Sequence, residues 1–356
     1  MIRAALVLAL TPTTQGSPVP PSPALSQGPP AAQSGPAPAP PEFIRIERGA
    51  GHVPLLLPRD EELVFDVIID VGILGDIDVG DVTLSSGVER TPLGLPSARE
   101  AERKVELFDR AWVKSVAKGG YAGYEITHTL TASHMPLDWP RVLYKDVQRG
   151  SENRERELKL GILAGTFMAE YRSDGHCGGC SEKAHFVDSI WAWGKPYHCK
   201  KCKLAEHRVW RDPKRREVDQ NALDMLSAVY AARAMVDLDV KSTAFTIVDR
   251  QRVWRVKIER GETRRQSVPA GRFECVQMKL SADLAGGEGE PEGSPSHFQG
   301  LFGIQGAIQI WFDARSGVPV LIQGELPIPV PLVGNLDLSV VLKRYRGTPP
   351  DFAPAR

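Results

Sequence analysis

The sequence lacks a hydrophobic run long enough to span a bilayer. Its longest uninterrupted apolar stretch, Ala4 to Leu10, falls well short of the ~18 residues that a membrane-spanning helix needs. An excess of charge of either sign is also missing, because 44 basic side chains are balanced by 44 acidic ones. These absences exclude a chain anchored by a transmembrane helix. They also argue against a protein built throughout to coat nucleic acid or anionic lipid.

Familiar catalytic signatures are missing as well. The sequence contains no nucleophile elbow, Walker loop, His-Glu-x-x-His motif or dinucleotide fingerprint. The remaining acid/base candidates are His128 and His134, which flank a predicted strand near Asp138. The lack of a stronger constellation favours a non-enzymatic protein, with a hydrolase acting in a groove of the β-sheet as the alternative.

The N-terminal region has the composition of an exported protein. Residues 1–15 have the layout of a signal peptide, with Arg3 ahead of the apolar stretch. Residues 16–41 are predicted to be a disordered linker, because region 11–41 holds eleven of the 29 prolines and no charged side chain. This linker has no cysteine and so offers no bacterial lipoprotein anchor. We expect a periplasmic or otherwise exported protein.

Residues 42–345 are predicted to form a single β-rich domain, followed by a disordered tail at 346–356. In its C-terminal third, short strand candidates such as Val253 to Ile258 are separated by turns, which indicates antiparallel pairing. The region from Ser97 to Lys118 has helical or mixed spacing, and the charge run from Glu152 to Glu157 is interpreted as a solvated surface.

The strongest helix prediction covers Leu223 to Val236, where apolar residues recur at helical spacing without proline or glycine. Four polar or aromatic residues recur at every third position: Asp224, Ser227, Tyr230 and Arg233. We expect Asp224 or Ser227 to cap the helix, Tyr230 to pack, and Arg233 to pair with a carboxylate at the sheet edge.

Three stretches carry a resemblance to a known family: a helix with the pattern Asp-x-x-Ser-x-x-Tyr-x-x-Arg, a Pro-Ala-Gly turn before a strand, and a Trp-Phe strand with a proline after its turn. They lie at Ala222 to Arg233, Val268 to Cys275, and Ile310 to Val320. Together they resemble the bacterial envelope family catalogued as domain of unknown function 3108, most clearly over residues 222–345. The resemblance implies an exported protein with a strongly curved antiparallel sheet.

The predicted fold is therefore mostly β (α+β): a curved antiparallel sheet or partly open barrel with one packed helix and a small zinc-ribbon-like insert at 171–210. We expect this non-enzymatic envelope protein to bind a lipid or other hydrophobic ligand in an apolar groove, or to dock an envelope partner.

The insert is predicted from two Cys-x-x-Cys pairs, which together provide four thiolates: Cys177, Cys180, Cys199 and Cys202. Their spacing fits a zinc site, and four protein ligands leave no open position, so the zinc would be structural. Disulfides or redox exchange are the alternatives, since export favours oxidation. Cys275, in an alternating strand, is expected to be a buried small hydrophobe.

A basic segment follows the second cysteine pair. Between Lys200 and Arg216, eight basic side chains outnumber Glu206 and Asp212. A zinc ribbon with such a flank is similar to nucleic-acid-binding ribbons. The alternatives are a solvated face or contact with anionic lipid or polysaccharide. We expect no nucleic-acid partner, because the signal-like start and the family resemblance both favour the envelope.

Replacing Cys177 with serine is expected to abolish zinc binding and unfold the insert while leaving the main sheet folded, because the sheet's elements lie outside it. Metal analysis of protein purified under reducing conditions is expected to find about one zinc per wild-type chain. Less than half an equivalent would contradict the zinc site.

Overall fold

The computed structural model describes residues 43–49, 51–70, 75–92, 107–121, 124–150, 153–176, 208–284, 304–330, 334–349, 352 and 354. The N-terminal strands are β1 (Phe43–Ile46), β2 (Leu55–Pro58), β3 (Asp60–Asp70), β4 (Asp76–Pro92), β5 (Leu107–Tyr121), β6 (Tyr124–His134), β7 (Val142–Gly150), β8 (Arg154–Leu163) and β9 (Thr166–His176). The remaining elements are β10 (Arg208–Trp210), β11 (Lys214–Glu217), α1 (Met225–Asp237), β12 (Ser242–Asp249), β13 (Arg252–Val268), β14 (Gly271–Leu284), β15 (Gln305–Asp313), β16 (Pro319–Val330) and β17 (Gly334–Arg346). Within these ranges, no helix is long and apolar enough to cross a membrane.

The strands form a small hairpin sheet, β1–β2, and one large antiparallel sheet. In the large sheet the order runs from β10 through β9 and down to β3, continues with β17, and descends to β12; β11 also pairs with β9. Two meanders, β3 to β10 and β12 to β17, are therefore joined side by side through the β3–β17 pair. In the part of the chain that the structure describes, this topology confirms the predicted antiparallel pairing and the mostly β fold with one helix.

Helix α1 lies inside the curved sheet. Asp224 caps it, because its Oδ1 accepts hydrogen bonds from the backbone N–H groups of Leu226 (2.9 Å) and Ser227 (3.0 Å). Every residue from Met225 to Val236 is buried, and the helix contacts β2, β5, β6 and β12. A helix with no exposed face needs apolar partners in all directions, which only a sheet that wraps around it supplies.

The sheet also overlaps itself. On the β12–β13 hairpin, Ile247 and Trp254 join the core around the helix, whereas Val248 and Val253 belong to a second apolar cluster. That cluster includes inward-facing side chains of β7, β8 and β9: Val142, Leu158, Leu160, Ala169 and Tyr171. Since adjacent strand residues point to opposite faces, the hairpin lies between the helix and the β7–β9 strands.

A short connection joins the two edges of the sheet. The Val218 N–H donates to the Phe167 carbonyl on β9 (3.1 Å), and the Leu223 N–H donates to the Thr246 carbonyl on β12 (2.9 Å). Over the described residues the ladder stays open, because β9 and β12 do not pair with each other. The result is a curved open sheet whose edges are held close by chain connectivity and side-chain packing.

A fully buried ion pair holds the helix against the sheet. The Arg233 guanidinium donates to both carboxylate oxygens of Glu61 at 2.7 and 3.0 Å, and both side chains are 1% exposed. The predicted carboxylate partner is confirmed, but its position at the sheet edge is wrong, because Glu61 is the second residue of β3, a strand near the middle of the sheet. Tyr230 is buried, as expected.

Several sequence expectations are corrected by the structure. Residues 107–118, expected to be helical or mixed, belong to strand β5, and the presumed solvated run at Glu152 to Glu157 is strand β8 from Arg154 onward. Residues 171–176 and 208–210, assigned to the insert, extend the main sheet as β9 and β10. In the tail, Phe352 is buried and stacks on Phe273 with ring centroids 4.7 Å apart.

Replacing Arg233 with methionine is expected to destabilise the protein by about 3–5 kcal/mol, because the Glu61 carboxylate loses its partner in a dry environment. The double variant E61L/R233M is expected to recover most of this loss. Chemical denaturation monitored by tryptophan fluorescence measures both. Equal stability of R233M and wild type would show that the pair does not hold the helix in place.

Candidate functional site

The proposed zinc ligands Cys177, Cys180, Cys199 and Cys202 lie outside the described residues. In the part of the chain that the structure describes, no cluster of histidine, cysteine, aspartate and glutamate side chains is able to hold a metal. Cys275 is buried, and burial together with Asp313 and Glu274 raises its thiol pKa to about 12. Its thiol therefore stays protonated, in agreement with the expected packing role.

The three acid/base candidates do not form one site. His128 and His134 lie six positions apart on β6, roughly 20 Å along an extended strand, and Asp138 pairs with Arg141 at the surface (3.6 Å). The hydrolase alternative required these groups to converge on an open pocket, and the structure does not bring them together.

His134 instead belongs to a buried polar group at the start of α1. Its Nε2 lies 3.1 Å from Oγ of Ser227, whose hydroxyl donates to the Asp224 carboxylate. Because that proton points to Asp224, Nε2 of His134 must carry the proton it donates to Ser227. In a catalytic triad the carboxylate orients the histidine, whereas here it binds the serine. Burial lowers the His134 pKa, which favours the neutral ring.

The interior of the sheet is closed at one end and less closed at the other. On the inner face of β3, Leu63 and Phe65 are buried, but Val67 and Ile69 further along are only half-buried. On the inner face of β14, Leu280 is likewise half-buried, between Met278 and Ala282, which are both buried. We call this end, where β3, β5 and β7 finish, the open end.

Charged side chains lie on the inner face of β6, β7 and β8, closer to the open end than Val142 and Leu160. We call them the seam cluster, because they lie where the β12–β13 turn meets β7 and β8: His128, Asp146, Arg154, Arg156, Asp249 and Arg250. The register Leu130↔Asp146↔Arg156 places the middle of the cluster on the same face as the core residue Leu130. Its members are reachable from solvent, with Arg154 and Arg156 exposed by 28% and 18%.

Asp146 is the centre of the seam cluster. One carboxylate oxygen lies 2.7 Å from His128 Nε2, and the other lies 3.3 Å from Arg156 and 3.5 Å from Arg154. Burial opposes its ionisation, but the His128 hydrogen bond and the two guanidinium groups outweigh burial and lower its pKa to about 2. This carboxylate is therefore ionised across the physiological range.

The seam cluster has more cationic than anionic groups. Three guanidinium groups share the carboxylates of Asp146 and Asp249, the latter 3.8 Å from Arg250. Burial raises the pKa of Asp249. Burial lowers the pKa of Arg154, and the positive charges of Arg156 and Arg250 lower it further. Leaving His128 aside, one positive charge is not balanced inside the cluster. Such a site is suited to an anion.

Sequence reasoning missed this site because it interpreted residues 152–157 as a solvated charge run. The signal that reveals it is the strict alternation of Arg154, Glu155, Arg156 and Glu157. In a strand, period-two alternation places both arginines on one face and both glutamates on the other. On the outer face Glu157 pairs with Arg172 (2.9 Å), while the arginines point inward to Asp146.

Comparisons with known proteins give a family match over part of the chain. The family model described as "Protein of unknown function (DUF3108)" matches residues 200–333, which confirms the resemblance over that segment. A search of the curated proteins found no match. Among solved structures, a beta-barrel-like protein of domain of unknown function DUF1849 from Brucella abortus is 8% identical, with a TM-score of 0.42, covering 81% of this chain and 97% of that one. A protein with a YmcC-like fold from Bacteroides fragilis is 9% identical, with a TM-score of 0.28, covering 82% and 97%.

Acid is expected to destabilise the protein through Asp146. Its folded-state pKa of about 2 lies below the ordinary value of 3.8, so the stabilisation is complete above about pH 4 and is lost as pH falls towards 2. The shift corresponds to about 2 kcal/mol of stability. Between pH 4 and 2, the unfolding free energy of the variant Asp146→Asn is expected to fall by about 2 kcal/mol less than that of the wild type.

Asp138→Asn is the matched control, because this carboxylate is exposed and its ion pair with Arg141 is long, at 3.6 Å. It is expected to retain the wild-type pH profile in the same denaturation series. If D146N and wild type lose stability in parallel below pH 4, Asp146 is not the responsible carboxylate.

Proposed function

We propose that this protein is a non-enzymatic exported envelope protein that binds a lipid or other hydrophobic ligand at the open end of its sheet. The observation that carries the proposal is the set of half-buried apolar side chains on the inner face at that end: Val67, Ile69, Ala117 and Leu280. They border the apolar core that surrounds helix α1.

The apolar side chains that stay partly exposed at the open end favour a ligand that is apolar or amphiphilic. Helix α1 fills the closed end, so a ligand would lie above it and enter from the open end. Covering apolar surface contributes about 25 cal/mol per Å², and a short alkyl chain placed against these side chains would bury both its own surface and theirs.

Export and zinc binding belong to the same proposal. The signal-like residues 1–15 and the proline-rich linker 16–41 support placement in the envelope, where such a linker would give the domain reach. The strands β9 and β10 hold His176 opposite Arg208, so residues 177–207 leave and re-enter the sheet at adjacent positions. Because the sheet already holds the two ends of this segment side by side, zinc binding would not have to bring them together.

Ligand binding is tested with N-phenyl-1-naphthylamine, an uncharged probe whose fluorescence rises in apolar surroundings. Wild-type protein is expected to bind it. Ile69→Trp is expected to weaken binding by about tenfold or more, because the larger side chain would occupy the open end. Native mass spectrometry of protein purified from membranes is expected to show a co-purifying lipid.

The matched control is Ile68→Trp, the same substitution one position away on the outer face of β3. It is expected to leave probe binding unchanged. The proposal fails if the wild-type protein binds neither the probe nor a lipid, or if both tryptophan variants weaken binding equally.

A further inference from the structure

The seam cluster and the half-buried apolar side chains share one face of the same sheet. Ala117 pairs in register with His128, and His128 pairs with Gln148 next to the arginines of β8. A ligand lying against Ala117 would therefore have its polar end within reach of the seam cluster. The two surfaces together have the layout that an amphiphile requires, one apolar and one charged.

The arginines have hydrogen-bonding capacity left for a ligand. Each guanidinium group carries five N–H donors, whereas the contacts of Arg154 and Arg156 within the cluster are single long ones to Asp146, at 3.5 and 3.3 Å. The Nε of Arg154 has no hydrogen-bond partner among the described residues. Ser115, also inward-facing and 1% exposed, has an Oγ likewise without a described partner.

We propose that Arg154 and Arg156 bind the anionic head group, a carboxylate or a phosphate, of an amphiphile whose alkyl chain lies against Val67, Ile69 and Leu280. This inference rests on the proposed function and names its ligand class. Asp146 and His128 act as positioning residues: Asp146 holds both guanidinium groups toward the interior, and His128 fixes the carboxylate. The bound anion offsets the unbalanced positive charge of the cluster.

A purely structural role for the seam cluster is the competing explanation. The same charges lie where the β12–β13 turn meets β8, and burial of Asp249 beside Arg156 would also fasten the overlapping edges together. A structural fastening predicts a loss of stability that does not depend on the ligand. Head-group recognition predicts that the loss appears in the affinity for anionic ligands alone.

Isothermal titration calorimetry on the intact protein separates these explanations. The probes are decanoate, decyl phosphate, decanol and inorganic phosphate. We expect both anionic decyl compounds to bind at least tenfold more tightly than decanol, since charge-assisted hydrogen bonds add to the same apolar contact. Preference between the two anions identifies a carboxylate or a phosphate as the natural head group. Inorganic phosphate is expected to bind weakly because it lacks the chain.

The variants Arg154→Gln and Arg156→Gln are expected to weaken decanoate and decyl phosphate about tenfold each and to leave decanol unchanged. Arg149→Gln is the matched control, because Arg149 lies at the same end of β7 but on the outer face, beside Glu155. If Arg154→Gln does not fold, Arg154→Lys replaces it in the test. Lysine keeps the charge, so this variant is expected to retain part of the affinity for the anionic compounds.

Three outcomes overturn the inference. Decanol binding as tightly as decanoate would leave the proposed function standing but remove the anionic head group. Inorganic phosphate binding as tightly as decyl phosphate would assign the site to a free anion. A fall in melting temperature in R154Q and R156Q with unchanged ligand affinities would assign the arginines to the structure alone. Failure of every decyl probe to bind would instead contradict the proposed function itself.

Discussion

The burial of helix α1 on all sides is the constraint on which the rest of the structure depends. Leu226, Ala231 and Met235 are each completely buried, so apolar side chains must approach the helix from every direction. A flat sheet would cover only one side. The large sheet therefore curves around α1, and the β1–β2 hairpin adds a further contact through β2. The Arg233–Glu61 pair fits this arrangement, because a buried charge is tolerated only with a well-placed partner.

Wrapping a long sheet around one helix brings its edges together, and the protein overlaps them instead of pairing them. The apolar half of this overlap is formed by Val248 and Val253 packing on β8 and β9, which buries both faces of the β12–β13 hairpin next to its turn. Towards the open end the overlap becomes charged, with Asp146 and Asp249 near the arginines of β8. Unpaired edge strands invite association with other chains. Placing one edge inside the other protects it without closing the ladder.

The features that could be predicted from sequence are those with a local cause. The helix followed from its period and its capping Asp224, and the C-terminal strands followed from alternation and short turns. Strand β5 was missed because Ala111, Val113 and Ser115 face a core formed by distant strands. Their residue types alone do not indicate that this side of the strand is buried. The seam cluster depends on β12 lying beside β8, a long-range contact that no local pattern encodes, although the alternation from Arg154 to Glu157 indicated a strand.

Strand β9, near one edge of the large sheet, pairs with both β10 and β11. Its two neighbours divide the strand, with β11 pairing Met168 to Tyr171 and β10 pairing Asp174 to His176. Outward-facing Glu170 binds Lys159 at 3.2 Å and Arg215 at 2.6 Å, so Arg215 of the basic segment helps to neutralise a carboxylate of the sheet. Arg172 lies over the Trp210 ring at 4.5 Å. The charge of Arg215, which the sequence presents as part of a basic run, is therefore used within the fold.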